Sequence, residues 1–194
     1  MNLAEADRRP APGGKAHPVD FNHPGFSTLF DYWQSVRRGP AIPHASDFDL
    51  LELAGWLPDI VILDVVNQEC AMTRFTGTAV AERLGMDPTG QNVLTIQAKS
   101  SFDQAARAYQ SIANLPCGAL ARYCSVYSSG REATARSLYL PLKPPSGEAP
   151  RLIAMSMRED GGTVYAETIE RTMTGTRILS LDWLDLGFGV PAKF

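Results

Sequence analysis

Cysteine and histidine are scarce in this chain, and no charge dominates. The three cysteines, Cys70, Cys117 and Cys124, are an odd number without close paired spacing. That argues against a disulfide framework and a zinc knuckle, and points to free thiols in a reducing compartment. Cys124 has only Arg122 as a nearby cation, so it reads as a buried, inert thiol more than a reactive one. All three histidines, His17, His23 and His44, precede the segments that read as a sheet. A histidine base or metal ligand is therefore missing from that part of the chain, and no metal is expected. Lysine and arginine number 18 against 21 acidic residues, a net charge of −3. Without a basic excess or stripe, nucleic acid is not an expected partner. No apolar run approaches the ~20 residues of a membrane-spanning helix, and the first twenty residues hold no apolar leader core. The expected location is the cytoplasm. Nucleophile elbows, phosphate loops, dinucleotide glycine fingerprints, H-E-x-x-H and calcium-loop patterns are all missing, so no catalytic residue is assigned.

The remainder is ordinary for a globular chain: 44% apolar and 20% charged over 194 residues, enough to bury a core. Residues 1–24 are punctuated by proline and glycine without periodicity and read as a flexible arm. Phe26, Leu29, Phe30, Trp33 and Val36 then recur at helical spacing, with Arg37 and Arg38 in the last turn and Gly39-Pro40 as the stop. A second helix is predicted over 47–57, capped by Ser46 and ended by Pro58. Strands are predicted at 59–66, 71–75, 119–127, 132–142 and 151–158, with Pro141 confined to an edge, end or bulge. Between the second and third strands, Thr78 caps a short helix closed by Gly85. Ser101 opens a longer one with Gln104 in the capping-box position. Residues 161–194 read as an extension, part of it apolar enough to dock. The expected class is α+β: a five-stranded antiparallel sheet with helices over one face, N-terminal helices and a C-terminal extension. The domain is bounded at 25–160.

Several short segments carry a family resemblance. Arg74-Phe75-Thr76-Gly77-Thr78, then Glu82-Arg83-Leu84-Gly85-Met86-Asp87 and Thr89-Gly90, resemble the core of a PAS domain. They are similar in particular to small standalone PAS proteins of alphaproteobacteria. Leu29-Phe30-Asp31-Tyr32-Trp33 resembles the leading helix of that group, Leu57-Pro58-Asp59-Ile60 the entry to its first strand, and Ser137-Leu138-Tyr139-Leu140-Pro141-Leu142 its fourth strand. The resemblance runs from Phe26 to Arg158. It implies helices cupped over a sheet, room for a small ligand between them, and a role in sensing, pairing and partner contact rather than catalysis. Haem is not expected, since no histidine follows His44. Flavin is not expected either, since the Asn-Cys-Arg-Phe stretch of flavin photosensors is missing.

Candidate pocket residues are Phe75, Leu84, Phe102, Tyr109, Tyr123 and Tyr139, placed toward the space by strand or helix spacing. The same side chains would equally fill that space as close-packed core. Arg74 is the candidate for orienting an anionic ligand, through its planar fork. Its alternative is an exposed strand position or a structural ion pair. Phe26, Phe30 and Trp33 form an aromatic stripe, the expected contact of a homodimer paired through this helix; the alternative is a cover folded back on the chain's own sheet. The expected function is a non-catalytic regulatory module that contacts a signalling protein. The alternatives are a small-molecule sensor and, less favoured, an enzyme on a cup-shaped fold.

Overall fold

A computed structural model describes residues 21–159 and 173–192. Most of the expected arm and the first part of the C-terminal extension lie outside them. The elements run α1 (Pro24–Ser35), β1 (Ile60–Asn67), β2 (Cys70–Thr76), α2 (Thr78–Leu84), α3 (Phe102–Asn114), β3 (Gly118–Tyr127), β4 (Glu132–Leu142), β5 (Arg151–Arg158) and β6 (Met173–Leu184). All six strands pair antiparallel in one sheet, in the order β2-β1-β5-β4-β3-β6.

Five strands were expected; the described residues form six. The sixth lies in the stretch expected as an extension, and it pairs with β3 from Gly118↔Leu184 to Tyr127↔Met173. Its apolar alternation is broken by an extra residue. Arg122 faces Ser180 and Tyr123 faces Ile178, so Leu179 is skipped. Such a bulge shifts the parity of every side chain beyond it. Ile178 and Leu181, three apart, consequently reach the same side of the sheet.

Helices cover both faces, not one. On the inner face, α3 packs through Ala105, Ala106, Tyr109 and Ile112 onto Leu63, Val65, Ala119 and Leu152. On the outer face lie α1 and the segment Leu50–Asp59, over Leu138, Leu140, Ile153 and Met155. Period-two alternation along β1, β4 and β5 divides the apolar residues between these two layers.

The starts and stops follow local chemistry, with some differences from expectation. In α1, Pro24 occupies the first turn and the His23 Nδ1 accepts from the Gly25 N–H at 3.1 Å. The helix ends at Ser35, so Arg37 and Arg38 lie beyond it. Within the stretch expected as an arm, Phe21 is buried, and its ring meets Phe30 at 5.3 Å. The second predicted helix is a 3₁₀ segment, Leu50–Asp59, broken at Leu53. Asp49, not Ser46, caps it, accepting from the Leu51 N–H at 2.9 Å, and Pro58 sits inside its end. Gly55 and Pro58 in so short a stretch disfavour α-helix. Thr78 begins α2 after a Gly77 cap, and Gly85 closes it at φ +68, a left-handed conformation suited to glycine. At α3, Ser101 takes the cap position without capping. Its Oγ accepts from the Ile178 N–H at 3.2 Å and ties the helix to β6. Pro141 lies past the last β3–β4 pair, Ala119↔Tyr139, at a strand end as expected.

Candidate functional site

The inner face does not close completely. Between it and the α2–α3 layer lies a cavity of about 90 Å³. Strands β1, β3, β4 and β5 contribute Val61, Leu63, Ala119, Ala121, Tyr123, Ser137, Tyr139, Ala154 and Ser156; β6 adds Thr176, Ile178 and Leu181. The roof is Val80 and Leu84 of α2 and Ala105, Ala108, Tyr109 and Ile112 of α3. Small alanines on facing elements leave this space, where larger side chains would fill it.

A second bulge governs one wall. Ile62 faces Phe75 and Leu63 faces Thr73, so Arg74 is the extra residue of β2. Strict alternation would place Thr73 and Phe75 on one face and Thr76 on the other. The bulge instead sends Thr73 and Thr76 inward to the cavity and Phe75 outward to the α1 layer. Both threonine Oγ1 atoms are buried without a hydrogen-bond partner. An unmet buried hydroxyl costs about 1–3 kcal/mol.

Several other polar atoms of the wall pair with one another. Tyr123 Oη and Ser156 Oγ lie 2.5 Å apart, and Ser137 Oγ donates to the Tyr123 oxygen at 3.4 Å. Thr176 donates to Gln97 Oε1 at 2.5 Å. The rings of Tyr109 and Tyr139 tilt together, centroids 5.6 Å apart. Burial pushes the Tyr109 phenol up to about 12 and raises Tyr139 well above its ordinary value. Both are neutral phenols at physiological pH. Among the described residues lining the cavity there is no carboxylate, histidine, lysine, arginine or cysteine.

Four expected pocket residues therefore line the cavity: Leu84, Tyr109, Tyr123 and Tyr139. Three do not. Phe75 packs on the opposite layer. Phe102 joins the edge of the inner-face cluster and borders a separate surface groove with Arg107 and Gln110. Arg74 is an outward ion-pair residue, 3.2 Å from Asp64 and 3.0 Å from Glu148. It is not positioned to orient a ligand in the cavity. Sequence reasoning missed Thr73, Thr76, Ser137, Ser156 and Thr176. The Thr-Arg-Phe-Thr run shows its inward pair only once the bulge is known.

The thiols contribute no chemistry here. Cys117 and Cys124 are buried, and burial raises both, Cys117 to about 11, so neither is a thiolate at neutral pH. Among the described residues no cluster of histidine, cysteine, aspartate or glutamate is arranged to hold a metal ion, and no helix is long and apolar enough to cross a membrane.

The family model for the PAS domain matches residues 21–156, from just before α1 to within β5. The chain belongs to the PAS domain family. The fold is that of a signalling sensor. Among solved structures, this PAS domain is similar to the PAS domain of an HTR-like protein from Haloarcula marismortui. Identity there is 13%, over 56% of this chain and 89% of that one, with a TM-score of 0.36. It is also similar to Vibrio cholera VqmA, solved as a ligand–DNA complex, at 15% identity and a TM-score of 0.36. That match covers 57% of this chain and 51% of the VqmA chain, so the chain spans about half of that structure. No curated protein matches it.

The aromatic stripe of α1 is used within the chain. Phe26 and Trp33 are 1% and 0% exposed, packed on the outer sheet face, and Phe30 is half-buried beside them. Within the single chain, the stripe covers the outer face of its own sheet.

Proposed function

We propose that this PAS domain is a non-catalytic cytoplasmic sensor. It takes a small molecule into the cavity under α3 and reports occupancy through contact with a signalling protein. The observation that carries this reading is the cavity, an unfilled space in an otherwise close-packed interior. The lining favours binding over catalysis. Its tyrosines are protonated and its polar groups are hydroxyls and an amide, which hold a ligand but do not supply a base at neutral pH. The buried thiols suit a reducing compartment. Pairing with a second copy would use α1 by exchange between subunits, because its apolar face already lies on the sheet.

Native mass spectrometry of the purified protein tests the sensor reading. The expected result is a non-protein mass that stays bound under native conditions and is released on denaturation. A bare chain mass, together with no thermal shift against a panel of small metabolites, would sink ligand sensing and leave the protein-contact role alone.

A further inference from the structure

Two features of the cavity specify its occupant. The first is the pair of unmatched hydroxyls. Thr73 is 2% exposed, its Oγ1 and that of Thr76 are buried, and neither has a partner. They stand on either side of the Arg74 bulge, and both residues line the same wall of the cavity. A hydroxyl can give one hydrogen bond and accept two. Buried polar groups are nearly always satisfied, by protein, water or ligand. The second feature is charge. No charged side chain is among the described residues that line the cavity, and the ion pairs beside this wall are made elsewhere. Arg74 pairs outward with Asp64 and Glu148, and Arg151 pairs with the same two carboxylates. Arg83, on the roof helix, is bound to Asp59 at 3.0 Å and to the Ser156 carbonyl at 2.6 Å. An ionised ligand would enter a low-dielectric space with no counter-charge and be strongly disfavoured.

We propose that the cavity selects a compact neutral molecule carrying both a hydrogen-bond donor and an acceptor, such as a small amide or alcohol, and that Thr73 and Thr76 are its specificity-determining residues. This rests on the sensor reading above and narrows it. Size narrows it further. A cavity of about 150 Å³ takes benzene, and this one is about 90 Å³. The occupant therefore has fewer than benzene's six non-hydrogen atoms while α3 keeps its place.

The test uses three probes on the full chain: propionamide, its charged isostere propionate, and xenon. Each is titrated while the methyl resonances of Thr73, Thr76, Ala108 and Ile112 are followed by NMR. Propionamide is expected to shift them saturably and to bind at least about tenfold more tightly than propionate. Thr73→Val and Thr76→Val, near-isosteric changes, are each expected to weaken propionamide about tenfold while xenon uptake stays unchanged. Thr73→Ser, which keeps the hydroxyl, is expected to retain binding. Propionate binding as well as propionamide, or unchanged propionamide affinity in the valine variants, would overturn the assignment and leave the sensor reading standing. Xenon entry without propionamide would mean a purely apolar cavity, and would likewise overturn the assignment alone. Failure of every probe to enter would overturn both. The comparison of propionamide with propionate on the unmodified chain stands even if a variant fails to fold.

Discussion

Trp33 donates its indole N–H to the main-chain carbonyl of Pro141, 2.8 Å away and fully buried. The residues are 108 positions apart in the chain. The bond fixes the leading helix to β4 at the point where that strand has run past its β3 partner. It also occupies a tryptophan that would otherwise be available for a contact between subunits.

Trp33→Phe keeps most of the apolar contact but leaves the Pro141 carbonyl unmatched. The expected loss is about 1–3 kcal/mol of stability, read from urea unfolding, with an unchanged far-UV spectrum. Trp33→Glu is expected to unfold the chain rather than yield a folded monomer, since it buries an unpaired charge. A well-folded Trp33→Glu protein with half the wild-type mass by light scattering would instead show that the helix serves an interface.

Gly77 is held by space rather than by an unusual dihedral angle. A methyl group on its Cα would sit against the carbonyl oxygens of Leu57 and Pro58, both backbone atoms. The Gly77 N–H also donates to the Ile60 carbonyl at 2.8 Å, which prevents the loop from backing away. Gly77→Ala is expected to cost about 3 kcal/mol, as overpacking against a rigid neighbour does. Gly55→Ala, where the added methyl meets nothing within 4 Å, serves as the control and is expected to be near neutral. Equal stabilities for the two variants would refute the close-approach explanation.

The cavity tyrosines give the protein an alkaline limit. Burial raises Tyr109 to about 12 and lifts Tyr139 also. An unfolded tyrosine titrates near pH ~10. Below that value both states are protonated and stability is unaffected. Above it the unfolded chain loses protons that the folded chain keeps, so stability falls as pH rises from about 10 towards 12. The slope is about 1.4 kcal/mol per pH unit for each tyrosine. Denaturation at pH 9, 10 and 11 should show the decline, and Tyr139→Phe should make it shallower, leaving the share of Tyr109. A wild-type curve flat over that range would contradict the buried-phenol assignment.

The first five strands were legible because their alternation is uninterrupted or their turns are explicit, as at Asn67 and Ser128-Ser129-Gly130. At the cavity wall and in the sixth strand, the departures from the reading come from bulges. At Arg74 one extra residue exchanged Phe75 for Thr76 at the cavity wall, and at Leu179 another hid a strand. A bulge is a property of two paired strands, and the one-dimensional pattern of either alone does not mark it. Tyr109, Tyr123, Tyr139 and Leu84 reach the cavity wall by simple spacing because no bulge separates them from their reference positions.

The sixth strand changes where this domain can be cut. Ending the chain near residue 160, as periodicity and the family match both suggest, would strip β3 of its outer partner and remove Thr176, Ile178 and Leu181 from the cavity wall. It would also remove Phe188, whose ring sits 5.4 Å from the Arg37 guanidinium on the opposite layer. The last twenty described residues thus work like a strap, crossing from the chamber side to the outer cover. A fragment stopping at Glu159 is expected to aggregate or bind apolar dyes, whereas one reaching Ala192 should behave as the whole.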